Sequence, residues 1–516
     1  MRSDSGATSS LWMAQTETPT RPTLRENLTT DVCVVGAGLA GLSVAYHLAK
    51  SDREVVVIDD GPIGGGETGR TTAHLASAID DRYFELEKIH GVEHSRLAAE
   101  SHTAAIDRIE QIAQEENIDC DFRRVDGYLF LEPGDTSETL LKERDAAIRA
   151  GLEVRYHDDV TLPSMYNLGP CLVFPRQGQF HPLKYMDGLV RAVERRGGRF
   201  FRAHGEEIKG GMPARVRTSD GNEILCEAVV VATNSPVNDR VAIHTKQAPY
   251  RTYVVGAHVP KNSVPYALFW DTADPYHYVR VQTAGSDFPD KDVLIVGGED
   301  HKTGQADDYD RRFGRLEQWT AERFPVERIA FRWSGQVIET DDYLGFIGRN
   351  PLDDENVFIA TGDSGMGMTH GTIAGMLIHD LILNRKNPWA KVYDPGRVRL
   401  RTRSVMEFIK ENLNVVLQYR DYVTPSEYTS VADISPGSGG IVRQGATKLA
   451  VCRDHTGAVH TCLAICPHLG GVVRWNPVEE TWDCPVHGSR FDPKGCVING
   501  PANRGLTKAE TEELAA

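Results

Sequence analysis

Residues 31–60 read DVCVVGAGLAGLSVAYHLAKSDREVVVIDD, and no other stretch narrows the choice of fold as much. An apolar β-branched run, a glycine-studded turn, a segment with helical periodicity and a second β-branched run ending at Asp59 make a βαβ unit. The turn holds Gly36, Gly38 and Gly41 at the spacing GxGxxG. There the first glycine permits the tight turn, the second lets a pyrophosphate approach the backbone, and the third lets helix and strand close on each other. The helix start at Leu39 and Ala40 offers free N–H groups to the phosphates. Asp59, followed by Asp60, stands where a carboxylate accepts hydrogen bonds from a ribose. The fingerprint serves NAD and FAD alike and does not choose between them.

A chain of 516 residues is too long for one core of ordinary size. Residues 1–30, rich in Ser, Thr and Pro, read as an N-terminal extension draped over the first domain. Helical periodicity at 80–118 and 136–151, with short buried strands such as AVVVATN, VLIVGGED and NVFIATG, makes residues 31–393 an α/β domain. Residues 394–427 read as a charged linker helix, and 428–516, with short β-prone runs between Gly, Pro and Asp, as a small all-β domain. With 73 acidic against 57 basic residues the net charge is -16, which disfavours nucleic acid and anionic membrane as partners. No apolar run reaches the roughly 20 residues of a membrane span. The N-terminus lacks the pattern of a secretory signal, and the expected location is cytoplasmic.

Five of the nine cysteines fall in the last 65 residues: Cys452, Cys462, Cys466, Cys484 and Cys496. Two loops, CPHLGG at 466–471 and CPVHGSRFD at 484–492, each offer one Cys and one His. Cys466, His468, Cys484 and His487 could hold a tetrahedral zinc. The mixed CxH and CxxH pairs better suit a two-iron cluster in which one iron takes both thiolates and the other both imidazoles. The module also resembles Rieske 2Fe-2S domains at ISPGSGG, WDCPVHGSRFD and NGPANRGL. Respiratory Rieske proteins carry an extra cysteine pair in these loops; here those positions are Gly471 and Val486. Ser489 keeps a hydroxyl for the cluster, whereas Phe491 replaces a tyrosine donor. Fewer donors imply a potential low in the Rieske range of roughly -150 to +300 mV. Cys452, Cys462 and Cys496 read as small buried hydrophobes.

Over residues 31–385 the chain resembles the D-amino-acid-oxidase-like flavoproteins, which include glycine and sarcosine oxidases. The likeness rests on GAGLAG, GGGETGRTTAHL (64–75), AVVVATN (228–234), WSGQVIETDDYLGFIG (333–348) and VFIATGDSGMGMTHG (357–371). It implies a Rossmann-like FAD domain of the glutathione-reductase and D-amino-acid-oxidase type. It also implies a mixed-sheet substrate domain, roughly 80–190 and 240–335. By the same resemblance Gly69, Arg70, Thr71, Thr72, Ala73, Ala232, Thr233, Gly362, Gly365, Met366, Gly367, Met368 and Thr369 line FAD. His74 would pack near the flavin, covalent attachment being the alternative.

The resemblance further implies oxidation of a C–N bond in an amine or amino-acid-like substrate, with electrons exchanged singly between the cluster and a redox protein. Arg251, Tyr253, His277 and Tyr278 are the expected substrate groups, in a segment that also carries Trp270 and Tyr276; an arginine there would hold a carboxylate. Two other readings remain: an electron relay without a substrate, and an oxygen-activating flavin enzyme fed by a ferredoxin-like donor. A Rieske oxygenase would need a mononuclear iron, for which Glu87, His90 and His94 have only an approximate spacing.

Overall fold

The β-branched runs beside the glycine turn form strands β1 (Leu28–Val35) and β2 (Val55–Asp59), joined by helix α1 (Leu39–Ala49). The computed structural model describes residues 5–161, 167–238, 243–351, 353–397, 414–415, 417–422 and 424–509. β1 and β2 pair in parallel with Val32 opposite Val55, and Glu223–Val231 runs parallel on the other side of β1. Val357–Thr361 adds a further parallel strand. Strands covered on both faces need continuous apolar runs, which is why Val32, Val34, Val55 and Val57 are all buried.

Helix Gly367–Ile382 packs on α1. A Cβ on Gly371 would lie 3.2 Å from the Ala40 amide nitrogen, and one on Gly375 2.6 Å from the Ser43 Cβ. Two glycines one turn apart therefore bring the helices into backbone contact, near the glycine turn.

The second sheet is mixed, in the order Arg328–Thr340, Gln247–Pro260, Lys291–Lys302, Tyr278–Thr283, Leu268–Asp271, Arg123–Phe130, Cys171–Gln179, His74–Leu75. Helix Tyr309–Arg323 covers one face through Phe313, Leu316 and Trp319. The helical periodicity at 80–118 and 136–151 becomes Tyr83–His90, Val92–Glu115 and Ser137–Arg149.

The C-terminal part has a three-stranded sheet (Ser438–Gln444, Thr447–Arg453, Val459–Leu463) and a four-stranded one (Arg474–Asn476, Thr481–Asp483, Arg490–Phe491, Val497–Asn499). Trp482, Phe491 and Cys452 are in its core. Most of the expected linker helix, 394–427, lies outside the described residues; within them stands a short 3-10 turn, Tyr419–Tyr422.

The N-terminal extension does more than drape. Its residues from Leu28 onward join β1, and Ser5–Trp12 are wedged between the two domains, with Leu11 and Trp12 fully buried. Ser10 caps the short helix Leu11–Gln15, and Trp12 donates its indole N–H to the Thr71 carbonyl at 2.6 Å.

Candidate functional site

A cavity of about 320 Å³ opens where the glycine turn, the start of helix Gly367–Ile382 and the mixed sheet meet. Gly36 is held at φ +107°, and a Cβ there would stand 2.4 Å from the Ala232 carbonyl oxygen. Gly41 lies beneath the turn, where a Cβ would fall 1.9 Å from the Gly36 carbonyl oxygen. Asp59 closes the turn from the end of β2: its carboxylate accepts the Ala37 N–H at 2.6 Å and the Gly61 N–H at 2.8 Å. Burial, with Asp60 next to it, still lifts its pKa to about 7.

Gly36, Gly38, Leu39, Ala40, Asp59, Asp60, Arg70, Thr71, Thr72, Ala232, Thr233, Gly365, Met366, Gly367 and Met368 all line this cavity. Gly41, Gly69, Ala73, Gly362 and Thr369 support it from behind. A Cβ on Gly69 would strike the Gly64 carbonyl oxygen, Gly362 abuts Thr340, and the Thr369 hydroxyl bonds to His102 Nδ1 at 2.7 Å. The Ala73 carbonyl accepts from Arg280.

Of the expected substrate groups only Tyr278 lines the cavity, together with Trp270 and Tyr276. Side chains alternate along a strand, and in Gln247–Pro260 it is Thr252 and Val254 that face inward. Arg251 and Tyr253 therefore point to the opposite side. Tyr253 bonds to His301 Nε2 at 2.9 Å, and Arg251, fully buried, donates to the Ser334 hydroxyl at 3.0 Å. His277 likewise faces away from Tyr278; it bonds to Asp271 at 2.8 Å and stacks on Trp319. Besides Asp59 and Asp60, the carboxylates lining the cavity are Glu67, Asp80, Asp300, Glu339 and Asp363, none of which is among the expected residues. Their signal was an acid in or beside an apolar strand run, as in VLIVGGED and SGQVIETDD.

His74 also lines the cavity, with Nδ1 on the Thr72 hydroxyl and Nε2 on the Val279 carbonyl. Glu87 pairs with Arg149 and His90 Nε2 meets the Asp342 carbonyl at 2.7 Å, so the approximate iron motif is dispersed.

The two Cys/His loops lie on the side of the C-terminal module that faces the first domain. The rings of His468 and His487 lie 5.0 Å apart, and His244 of the first domain packs against both, at 5.0 and 5.8 Å. His244 Nε2 is anchored on the Pro236 carbonyl at 3.1 Å. Gln336, which lines the cavity, donates its amide to the carbonyl of Gly488, the residue after His487, at 3.1 Å. Val497–Gly500 and Ala502 complete the cavity wall, so the C-terminal module closes it.

Six buried or largely buried charges hold this junction: Arg70, Arg251 and Arg490 against Glu67, Glu479 and Asp483. Arg70 pairs with Glu479 at 3.0 Å and Arg490 with Asp483 at 3.1 Å. The three guanidiniums hold the Glu479 pKa down to about 2 despite burial. Thr8 donates both its hydroxyl (2.6 Å) and its N–H (3.1 Å) to the same carboxylate, and Ser334 donates to it as well. Arg70 lines the cavity, but its guanidinium is committed to this junction through Glu479, Thr8, Gly6 and the Ser334 carbonyl.

Residues 31–381 match the family model described as FAD dependent oxidoreductase. The chain belongs to the FAD-dependent oxidoreductase family. Residues 426–510 match the Rieske [2Fe-2S] domain model. A putative Rieske 2Fe-2S iron-sulfur protein of Bacillus subtilis, YhfW, is 31% identical over 97% of both chains. Gamma-glutamylputrescine oxidoreductase of Escherichia coli is 29% identical over 70% of this chain and 85% of its own length. The fold is that of glycine oxidase from Geobacillus kaustophilus, with TM-score 0.59 at 18% identity, covering 72% of this chain and all of that one.

This FAD-dependent oxidoreductase thus carries FAD and a 2Fe-2S cluster, and its residues fit both. The Gly36 cradle leaves no room for a side chain where a pyrophosphate would approach. At the cluster loops His487 Nδ1 is buried with no protein partner, as an atom awaiting a metal bond would be. Cys466 and Cys484 are both buried. Ser489 bonds to the Cys466 sulfur and accepts the Ala502 N–H at 3.1 Å. A Cβ on Gly471 would meet Val486 at 2.5 Å, so these two positions are in contact without sulfur. All nine cysteines are free; Cys452 and Cys462 are buried as expected, whereas Cys496 is exposed. Among the described residues no helix is long and apolar enough to cross a membrane.

Proposed function

We propose that this chain oxidises a carbon–nitrogen bond of an amine at FAD and exchanges the electrons one at a time, through its own Rieske cluster, with a redox protein. The observation that carries this reading is the shared wall: Val497–Gly500 and Ala502 line the flavin cavity, and Gln336 joins that cavity to the loop of His487. A relay between protein partners has no need of Trp270, Tyr276 and Tyr278 on the wall of its flavin cavity. The Escherichia coli relative, named for an amine, supports the substrate type.

FAD supplies two-electron oxidation of the C–N bond and can release electrons singly, whereas the cluster carries one at a time. Gly36, Gly38, Leu39, Ala40 and Asp59 hold the diphosphate and ribose end, and Thr71, Thr72 and Gly365–Met368 the flavin end. Cys466, His468, Cys484 and His487 ligate the cluster. His244, anchored on the Pro236 carbonyl, packs against both imidazoles, so they face the first domain. The outer side of the Cys466 loop carries Leu469, 38% exposed, beside Tyr419, whose hydroxyl bonds to the Leu469 carbonyl. That side is where a partner collects electrons.

Anaerobic addition of amines to the holoenzyme, followed by EPR, tests the reading. One amine class should bleach the flavin and then produce the signal of a reduced Rieske centre. In Cys484→Ser the bleaching should persist and the signal disappear. Bleaching by no amine, together with reduction of the flavin through the cluster by a ferredoxin, would favour the reverse direction.

A further inference from the structure

Charge on the cavity wall around Tyr276 and Tyr278 is one-sided. Asp80, Asp300, Glu339 and Asp363 all line the cavity, and among its described lining residues the only Lys or Arg is Arg70. Both terminal nitrogens of Arg70 are already engaged by Glu479 and the N-terminal segment. The neighbouring imidazoles do not compensate: burial holds His74 near pKa 3 and His370 near 4, so both are neutral. Arg82 and Arg312 stand behind the wall, with their guanidiniums on the backbone carbonyls of Asp80, Asp271, Glu299 and Asp300.

These carboxylates are built into the wall rather than scattered over a surface. Asp80 accepts the Tyr276 hydroxyl at 2.6 Å, and Tyr278 bonds to Thr252, which also bonds to Asp300. Oδ1 of Asp300 is buried without a partner. Trp270, Tyr276 and Tyr278 add π faces to the same wall, the two tyrosine rings 5.3 Å apart. Carboxylates and aromatic faces together recognise ammonium groups. A substrate carboxylate would enter like-charged surroundings, and the arginine expected to receive it, Arg251, faces the other way.

Resting on the amine-oxidising reading above, we propose that the substrate is a di- or polyamine. It carries, besides the nitrogen at the bond oxidised, at least one further ammonium group and no carboxylate. Asp80, Asp300 and Glu339 bind the distal ammonium, and the aromatic wall packs on the methylene chain.

The test uses the FAD- and cluster-loaded protein under anaerobic conditions and reads perturbation of the flavin spectrum separately from its bleaching. The probes are 1,4-diaminobutane, spermidine, butylamine, glycine and sarcosine. The diamine should perturb the spectrum at a concentration at least about tenfold lower than butylamine, and the two amino acids should not compete with it. Asp300→Asn and Glu339→Gln should raise the Kd for diaminobutane about tenfold more than that for butylamine, since removing one partner of a desolvated charge pair commonly costs more than tenfold. Flavin absorbance per protein checks that each variant is folded. Tighter binding or faster bleaching by glycine or sarcosine would overturn the polyamine proposal and leave amine oxidation standing. Tight diamine binding with no bleaching by any amine would overturn the oxidation reading and leave the charge preference standing. Equal effects of both substitutions on diamine and monoamine would overturn the assignment of these carboxylates.

Discussion

Glu479→Gln should undo the junction between the two domains more than any other conservative change. The side chain is fully buried, and its carboxylate meets Arg70 and Thr8 directly while Arg251 and Arg490 add their fields. Glutamine keeps the shape and one acceptor oxygen, so the loss is electrostatic: three buried guanidiniums would face two carboxylates. Breaking a buried pair by removing one partner costs about 3–5 kcal/mol. The fall of the Glu479 pKa to about 2 gives a consistent figure, about 3 kcal/mol at about 1.36 kcal/mol per pH unit. With a urea dependence of roughly 1–3 kcal/mol per molar, the unfolding midpoint should drop by about 1–3 M. The assay follows flavin absorbance and cluster circular dichroism in parallel, and the cluster signal should be lost first. Adding Arg70→Met should recover part of the loss, because two cations then face two anions. In the parent protein the same contact is fully present above the ordinary glutamate pKa and is lost as pH falls through that value toward about 2. A midpoint for Glu479→Gln within about 0.3 M of the parent would refute the reasoning.

Gly41→Ala should leave the protein without FAD, because its Cβ would stand 1.9 Å from a backbone oxygen at the base of the pyrophosphate turn; flavin absorbance per protein measures this. Affinity for a protonated amine should rise between about pH 6 and pH 8. Burial raises Asp363 to about 6 and Asp300 to about 7, with Asp80, Arg312, His277 and Thr252 facing the latter, and it also holds Asp80 above and Glu339 well above the usual carboxylate range, so the wall gains its negative charge only as pH climbs through that window and beyond. Titration of the flavin perturbation by diaminobutane checks it, and in Asp300→Asn the upper part of the rise should flatten.

The features legible in the sequence were those whose chemistry is local. Three glycines within six residues define the turn, and Cys466 with His468, or Cys484 with His487, carry their partners a few positions away. Arg70 and Arg251 show the opposite case. Each is an arginine beside a glycine-rich or aromatic stretch, and their charge suggested a ligand. Glu479, which pairs with Arg70 and attracts Arg251 from a short distance, lies more than 200 residues further on, and nothing local identifies it. Arg251 and Tyr253 were placed on the wrong side of their strand because period-2 alternation says which residues share a face, not which face is inward. His244 had no signal at all, since its role depends on a domain that begins nearly 200 residues later. The carboxylate wall is assembled from four separate segments, whose acids read individually as strand ends or turns.

The wedge formed by Ser5–Trp12 also sets an order on the making of the molecule. Thr8 can find Glu479, and Ser5 can find Arg490, only after the ribosome has completed nearly the whole chain. Synthesis proceeds from the N-terminus, so the segment's contacts with Gly69, Arg70 and Thr71 can form early, while those with the C-terminal module wait until that module is translated. Its full set of contacts is thus completed only when the C-terminal module has folded against the first domain. A bulky tag placed ahead of Ser5 would interfere at that late step and spare the earlier ones.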